Sequence, residues 1–174
     1  MTVGGIARHT AHHKRDGGGE AVKLAQPPGV RSCRDGGKWA FCRNAANGGN
    51  YVMVEIGNLE NALAPADGQL IRQELLVKMR RAEDGALDYG SGAVGGDVEL
   101  MGIAPTVLEL RLTSRRGDDG TLHIRLYFTE PEERDGLLLA LKLAWKRPGR
   151  LGLEEQNGHA QIAERRADEE FGAR

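Results

Sequence analysis

The alternation of aliphatic and polar residues between positions 107 and 145 constrains the fold of this 174-residue chain more than any other feature. Side chains on a β-strand change face at every residue, so that every second residue shares a face. Residues 107–113, 121–129 and 137–145 each repeat Leu, Ile or Phe at this spacing, and turn-forming residues separate them. The pattern therefore predicts three antiparallel strands joined in a meander.

The two phases of this alternation predict an apolar face and a polar face. The apolar phase should form the core. It comprises Leu108, Leu110, Leu112, Leu122, Ile124, Leu126, Phe128, Leu137, Leu139, Leu141 and Leu143. The opposite phase, which we call the polar face, comprises Glu109, Arg111, His123, Arg125, Tyr127, Lys142 and Lys146. A mostly basic surface is therefore expected on one side of the sheet.

The other elements are predicted before and after the meander. Residues 51–56 are rich in strand formers and predict a short strand. Residues 65–85 predict a helix, because apolar residues recur there at helical spacing, at Ile71, Leu75, Met79 and Ala82. Residues 87–102 are rich in glycine and predict a long loop with a short strand near 98–101. Residues 153–171 predict a docked C-terminal helix with a narrow apolar stripe. The expected fold is therefore α+β, with an antiparallel sheet packed against helices.

The first part of the chain has a different character. Residues 1–47 contain glycine runs, a proline pair and almost no apolar periodicity. Such a segment cannot bury enough apolar surface to offset the entropy lost when it becomes ordered. We therefore expect a poorly ordered arm over residues 1–47 that is dispensable for folding, followed by one domain over residues 48–174.

Charge and hydropathy exclude some classes of partner. The net charge is −1, and residues 1–44 hold eight basic and three acidic residues, so the remaining residues carry a net charge of −6. A domain of that sign is not a general binder of polyanions, and any contact with nucleic acid must come from a local basic patch. The chain has no run of about 18 uncharged apolar residues, so no membrane contact is expected and a cytoplasmic location is favoured.

Neither a metal site nor a cofactor site is expected. The spacing of Cys33 and Cys42 matches neither a disulfide framework nor a zinc knuckle. Residues 90–95 spell GxGxxG, but no helical period follows that could supply the amides of a dinucleotide site. Three histidines lie in the arm without a structured partner ligand, at positions His9, His12 and His13.

Four segments, taken in order, carry a resemblance to a known family. They are LELR at Leu108–Arg111, HIRLYF at 123–128, the apolar strand at 139–147 that ends in a Lys-Arg pair, and QIAERRA at 161–167. With these segments the chain resembles the RelE/ParE superfamily of bacterial type II toxins, which includes the HigB-like proteins. The resemblance implies a small RelE-like domain. It also implies an endoribonuclease that cuts messenger RNA, free or on the ribosome, and a cognate antitoxin protein that silences it.

The resemblance also implies the residues of a catalytic site. The basic positions of the family fall on Arg111, Arg125, Lys146 and Arg147, of which we expect Arg125 and Arg147 to clamp the phosphate. The general base would be a water-accessible Glu109 or His123, both on the polar face. The chain departs from the active family members in having fewer lysines on the first meander strand. It also has Leu153 and His159 in the C-terminal segment, where those members often carry a tyrosine.

Two other functions remain open at the level of sequence. The chain could be a ParE-like or prophage-derived toxin that acts without catalysis by occupying a protein such as a topoisomerase, a reading favoured by the acidic domain charge. It could also be an inactive remnant whose partner is the antitoxin. The alternative to a catalytic role for Glu109 and Arg111 is that they simply pair with neighbouring side chains across a half-exposed sheet.

Overall fold

A computed structural model of the chain describes residues 31–32, 36–88, 90, 96–117, 120–131 and 134–172. Within these residues the fold is α+β, with three helices and a mixed sheet. The strands are β1 (Arg31–Ser32), β2 (Lys38–Phe41), β3 (Leu87–Asp88), β4 (Val98–Leu100), β5 (Leu108–Arg111), β6 (Arg115–Gly117), β7 (Gly120–Thr129) and β8 (Leu137–Lys146). The helices are α1 (Tyr51–Asn61), α2 (Pro65–Glu83) and α3 (Gly149–Gly172). None of the helices described is long and apolar enough to cross a membrane.

The predicted meander forms the centre of the main sheet. Its strand order is β2-β8-β7-β5-β4, and β6 pairs with the start of β7. The meander strands β5, β7 and β8 are antiparallel, as predicted. The short strand predicted near residues 98–101 is β4, which pairs antiparallel with β5 at the edge of the sheet. Only β2 runs parallel to its neighbour, β8, within the residues described. A separate two-stranded ladder joins β1 to β3.

Two hydrophobic clusters lie on opposite faces of this sheet. The larger one packs α1 and α2 against the apolar phase of β5 and β7, including Leu110, Leu126 and Phe128. The smaller one packs α3 against the opposite face, where Ala160 and Ala163 are fully buried. Because alanine has a small side chain, α3 can lie close to the sheet. The polar face is therefore partly covered by α3.

A β-bulge changes the predicted phase of β8. Leu126 pairs with Leu143 and Tyr127 with Lys142, but Phe128 pairs with Ala140, which leaves Leu141 as an extra residue. An extra residue reverses the alternation on one side of the bulge. Leu143 consequently packs in the α1/α2 cluster. The first part of the strand has the opposite phase from the one predicted, and its leucines pack in the α3 cluster at Leu137, Leu139 and Leu141. The prediction that all four leucines share one face is therefore wrong.

The strand predicted at residues 51–56 is instead the first half of α1. The side chain of Asn50 accepts a hydrogen bond from the Met53 backbone N–H at 3.1 Å and caps the helix. Val52 and Leu59, seven residues apart, are buried on the same side of the helix. The strand propensity of β-branched residues was therefore outweighed by a cap and by a buried helical stripe.

The two other helical predictions are confirmed. Helix α2 covers Pro65–Glu83, its four predicted apolar residues are buried, and Gly85 follows with a φ of 64°. Helix α3 contains the whole of the predicted segment 153–171 and begins four residues earlier.

The predicted arm contributes a strand to the sheet. Lys38–Phe41, which we placed in the arm, forms β2 and pairs with β8. The Trp39 indole N–H donates to the Met79 carbonyl at 2.9 Å, and its ring lies 5.3 Å from that of Phe128. The ordered domain therefore starts before residue 48. The sequence did not indicate this, because a strand of four residues is recognisable only from the distant strand with which it pairs. Residues 1–30 and 33–35 lie outside the described residues. The predictions of a poorly ordered arm there, of an incidental Cys33 and of unligated histidines at His9, His12 and His13 therefore concern residues that lie outside the described part of the chain.

Candidate functional site

Strands β5, β7 and β8 place most of the predicted site residues on one face of the sheet. Arg111 lies opposite Arg125, and His123 lies opposite Lys146. Glu109 occupies the same phase of β5 as Arg111. Five of the six predicted site residues therefore share the polar face.

Glu109 lies at the centre of this arrangement and is fully buried. Its carboxylate accepts hydrogen bonds from Arg125 Nε at 2.9 Å, from Arg111 Nε at 3.4 Å and from Gln156 Nε2 at 2.7 Å. Burial raises the pKa of Glu109, and the nearby charges of Arg125 and Lys146 oppose that rise. The prediction of a water-accessible base at Glu109 is wrong, because α3 and the two arginines enclose its carboxylate.

Arg125 is held in one orientation by its neighbours. In addition to the Glu109 contact, its Nη1 donates to the Ile124 carbonyl at 2.8 Å. Only 12% of its side chain is exposed. A guanidinium fixed in this way has its charge in place before any anion arrives, which is the property required of a phosphate clamp.

Arg111 and Lys146 flank Arg125 on the neighbouring strands. Arg111 forms an ion pair with Glu99 on β4, and Lys146 donates to the side-chain oxygen of Gln156 on α3. Burial lowers the pKa of both Arg111 and Lys146, and the charge of Arg125 lowers each further. Three cations are therefore grouped on three adjacent strands.

Gln156 joins α3 to the polar face and was not predicted. Its amide nitrogen donates to Glu109, and its oxygen accepts from Lys146. The signal that could have found it is the apolar stripe of α3, because Gln156 lies one turn before Ala160 on the same side of the helix.

His123 is the polar-face residue best suited to accept a proton. Burial lowers its pKa, and the charges of Arg125 and Lys146 lower it further. The imidazole is therefore neutral at pH 7. Its Nδ1 lies 2.6 Å from the hydroxyl oxygen of Ser114, a residue that no sequence motif identified.

Arg147 lies apart from the Glu109 cluster. It follows the last residue of β8, its side chain is 52% exposed, and its Nε donates to Glu155 Oε1 at 2.8 Å. The hydrogen bonds from Arg147 lower the pKa of Glu155. The structure thus directs Arg147 towards the first turns of α3 and not towards Arg125.

No group of three His, Cys, Asp or Glu side chains within the described residues could hold a metal ion. Cys42 is buried with a free thiol, and burial raises its pKa to about 11. Cys42 therefore stays a protonated thiol at neutral pH.

The chain was also compared with protein-family models, with curated proteins and with solved structures, and none of the three comparisons found a match.

Proposed function

We propose that this chain is the toxin of a type II toxin–antitoxin pair with a RelE-like fold, and that it cleaves messenger RNA, free or on the ribosome. The observation that carries the proposal is the grouping of Arg111, Arg125 and Lys146 beside His123 on one face of the sheet. The order of elements supports it, since a strand, two helices, a meander and a C-terminal helix follow one another.

The proposed reaction is the attack of a ribose 2′-hydroxyl on the adjacent phosphodiester. The 2′-oxygen forms a bond to phosphorus while a proton moves from the 2′-hydroxyl to a base. The bond to the 5′-oxygen breaks with its electron pair going to that oxygen, which leaves as a 5′-hydroxyl after taking a proton from water. His123 takes the proton of the 2′-hydroxyl, because its lowered pKa keeps the imidazole neutral at pH 7. Glu109 does not act as the base in this scheme. It holds Arg125 in place.

The cations stabilise the pentavalent phosphate. Negative charge develops on the phosphate oxygens during the attack, and fixed positive groups lower the energy of that state without having to reorganise. Arg125 is the most firmly held of them, while Arg111 and Lys146 approach from either side. Arg147 lies apart from these three cations, at the end of β8, and contacts the RNA backbone further along the strand.

A second function is favoured by the partners of these cations. Arg111 and Arg125 contact Glu109, Lys146 contacts Gln156, and Arg147 contacts Glu155. Cations that are already paired within the chain offer less to RNA. The second candidate is therefore a toxin that acts by binding a protein, with the same cognate antitoxin as its partner.

The proposal is tested by inducing the chain in growing bacteria without an antitoxin. We expect growth arrest, with cuts in messenger RNA that primer extension detects. His123→Gln should reduce cleavage by about a hundredfold or more, as expected for the loss of a general base. Arg147→Ala should also relieve the arrest. Arg150→Ala is the matched control, because it removes the same charge from a side chain that is 93% exposed and pairs with Glu154 in its own helix.

Melting temperatures of the purified variants control for folding. Arrest with intact messages would contradict the nuclease proposal and support the protein-binding candidate. Absence of arrest in the wild type would contradict both, and would leave a remnant that binds only the antitoxin.

A further inference from the structure

The geometry points to Ser114 as the residue that positions His123: its hydroxyl oxygen accepts a hydrogen bond from Nδ1–H, which leaves the lone pair of Nε2 free to accept a proton. The catalytic meaning of this inference rests on the proposed RNA cleavage. Its structural content does not, because the tautomer of His123 can be measured whether or not the chain cleaves RNA.

The strand register brings the two side chains together. Strand β6 pairs with β7 so that Arg115 lies opposite Leu122. Ser114 directly precedes β6 and His123 directly follows Leu122, and the Oγ of Ser114 lies 2.6 Å from the Nδ1 of His123. On the opposite side of β7, His123 faces Lys146. The imidazole is therefore placed between a hydroxyl and a cation on adjacent strands.

The backbone around Ser114 is fixed by α2. The backbone N–H and the hydroxyl of Thr113 both donate to Glu74 Oε1, at 2.8 and 2.9 Å. The guanidinium of Arg115 lies 3.6 Å from Glu74 and 3.7 Å from Asp67. Both neighbours of Ser114 are thus tied to the same helix. The hydroxyl is held in place by the fold and does not have to be ordered when RNA binds.

The charges around the ring favour one of the two neutral tautomers. A neutral imidazole carries one proton, on Nδ1 or on Nε2. Arg125 on the same strand and Lys146 on β8 face His123, and Lys146 lies on the side of β7 away from Ser114. A lone pair is more stable than an N–H when it is directed towards cations. With Ser114 accepting from Nδ1, the lone pair remains on Nε2, to which no described residue forms a hydrogen bond.

Nitrogen-15 NMR of histidine-labelled protein at neutral pH tests the inference directly. Long-range couplings identify which ring nitrogen carries the proton, and the His123→Gln variant assigns the signal. His159 is an internal reference of the opposite kind, because its Nε2 lies 3.2 Å from the Trp145 carbonyl and must donate to it. We expect His123 to be protonated on Nδ1 and His159 on Nε2 in the same sample.

Two variants extend the test. Ser114→Ala should shift His123 towards the Nε2-protonated form, and Ser114→Thr should retain the wild-type tautomer because it keeps the hydroxyl. In the cleavage assay Ser114→Ala should lower kcat with little change in KM. The loss in kcat should be smaller than the roughly hundredfold or greater loss expected when the base itself is removed. Ser114→Thr should restore the rate.

The outcomes separate this inference from the proposed function. A wild-type His123 protonated on Nε2, or a tautomer unchanged by Ser114→Ala, would overturn the role of Ser114 even if RNA is cleaved. The expected tautomers in a protein that cleaves no RNA would support the positioning by Ser114 and contradict only the nuclease proposal.

Discussion

Replacing Arg125 with methionine would leave the Glu109 carboxylate buried without its nearest cation. The two side chains are joined at 2.9 Å, Glu109 is fully buried, and 12% of the Arg125 side chain is exposed. Removing one partner of a buried ion pair costs about 3 to 5 kcal/mol when the remaining charge is left uncompensated. Glu109 keeps the longer contact from Arg111 Nε at 3.4 Å, so this range is an upper bound. For a chain of this length that loss corresponds to a melting temperature lower by roughly 6 to 20 °C.

A double-mutant cycle isolates the part of this cost that comes from the pair. Glu109→Gln removes the charge and keeps a side chain of similar shape beside Gln156. In the double variant no charge is left without its partner, so part of the stability lost in Arg125→Met should return. We expect a coupling energy of about 1 to 3 kcal/mol from urea denaturation midpoints. Additive single-variant effects would refute the pairing.

The pH dependence gives an independent check. Burial raises the pKa of Glu109, and the charge of Arg125 opposes that rise, so Arg125→Met should raise the pKa further. A carboxyl group whose pKa is higher in the folded than in the unfolded state loses its stabilising contribution as pH rises through the folded pKa. Arg125→Met should therefore cost less at pH 5 than at pH 7.5. An equal cost at both pH values, or a cost below about 1 kcal/mol, would show that Glu109 and Arg125 are not coupled as described.

Three further predictions concern stability. Deletion of residues 1–47 removes β2 and should lower the free energy of unfolding by at least about 3 kcal/mol in denaturant titrations. Deletion of residues 1–30 keeps β2 and should lower it little, so equal losses from the two deletions would contradict the role of β2. Gly152→Ala should lower the melting temperature because its Cβ would overlap the Arg147 carbonyl oxygen, while Gly158→Ala in the same helix meets no neighbouring atom and should raise it. Burial acts to raise the pKa of Asp97, but the hydrogen bond from Lys78 and further contacts outweigh it and lower that pKa. Asp97→Asn should therefore cost about 1 to 3 kcal/mol at pH 7, and the cost should decrease as pH falls through the folded-state pKa of Asp97.

The sequence by itself determined the meander, α2 and α3. Leu110 and Leu126 are buried as predicted, because alternation in a strand records which side faces the core whatever lies above it. The 3.6-residue period of α2 acts in the same way. Five of the six candidate site residues share a face for this reason, since their placement needed only the period of two and the pairing of adjacent strands.

Only the tertiary structure decided what those residues touch. The bulge at Leu141 depends on how β8 pairs with β7, and β2 exists through a parallel pairing with residues about a hundred positions away. Glu109 was predicted to be open to water and is buried because Gln156, 47 residues further along the chain, lies over it. Periodicity within one element is local and can be read from the chain. The partners of a side chain depend on which distant elements pack against it, and that is settled by the free energy of the whole fold.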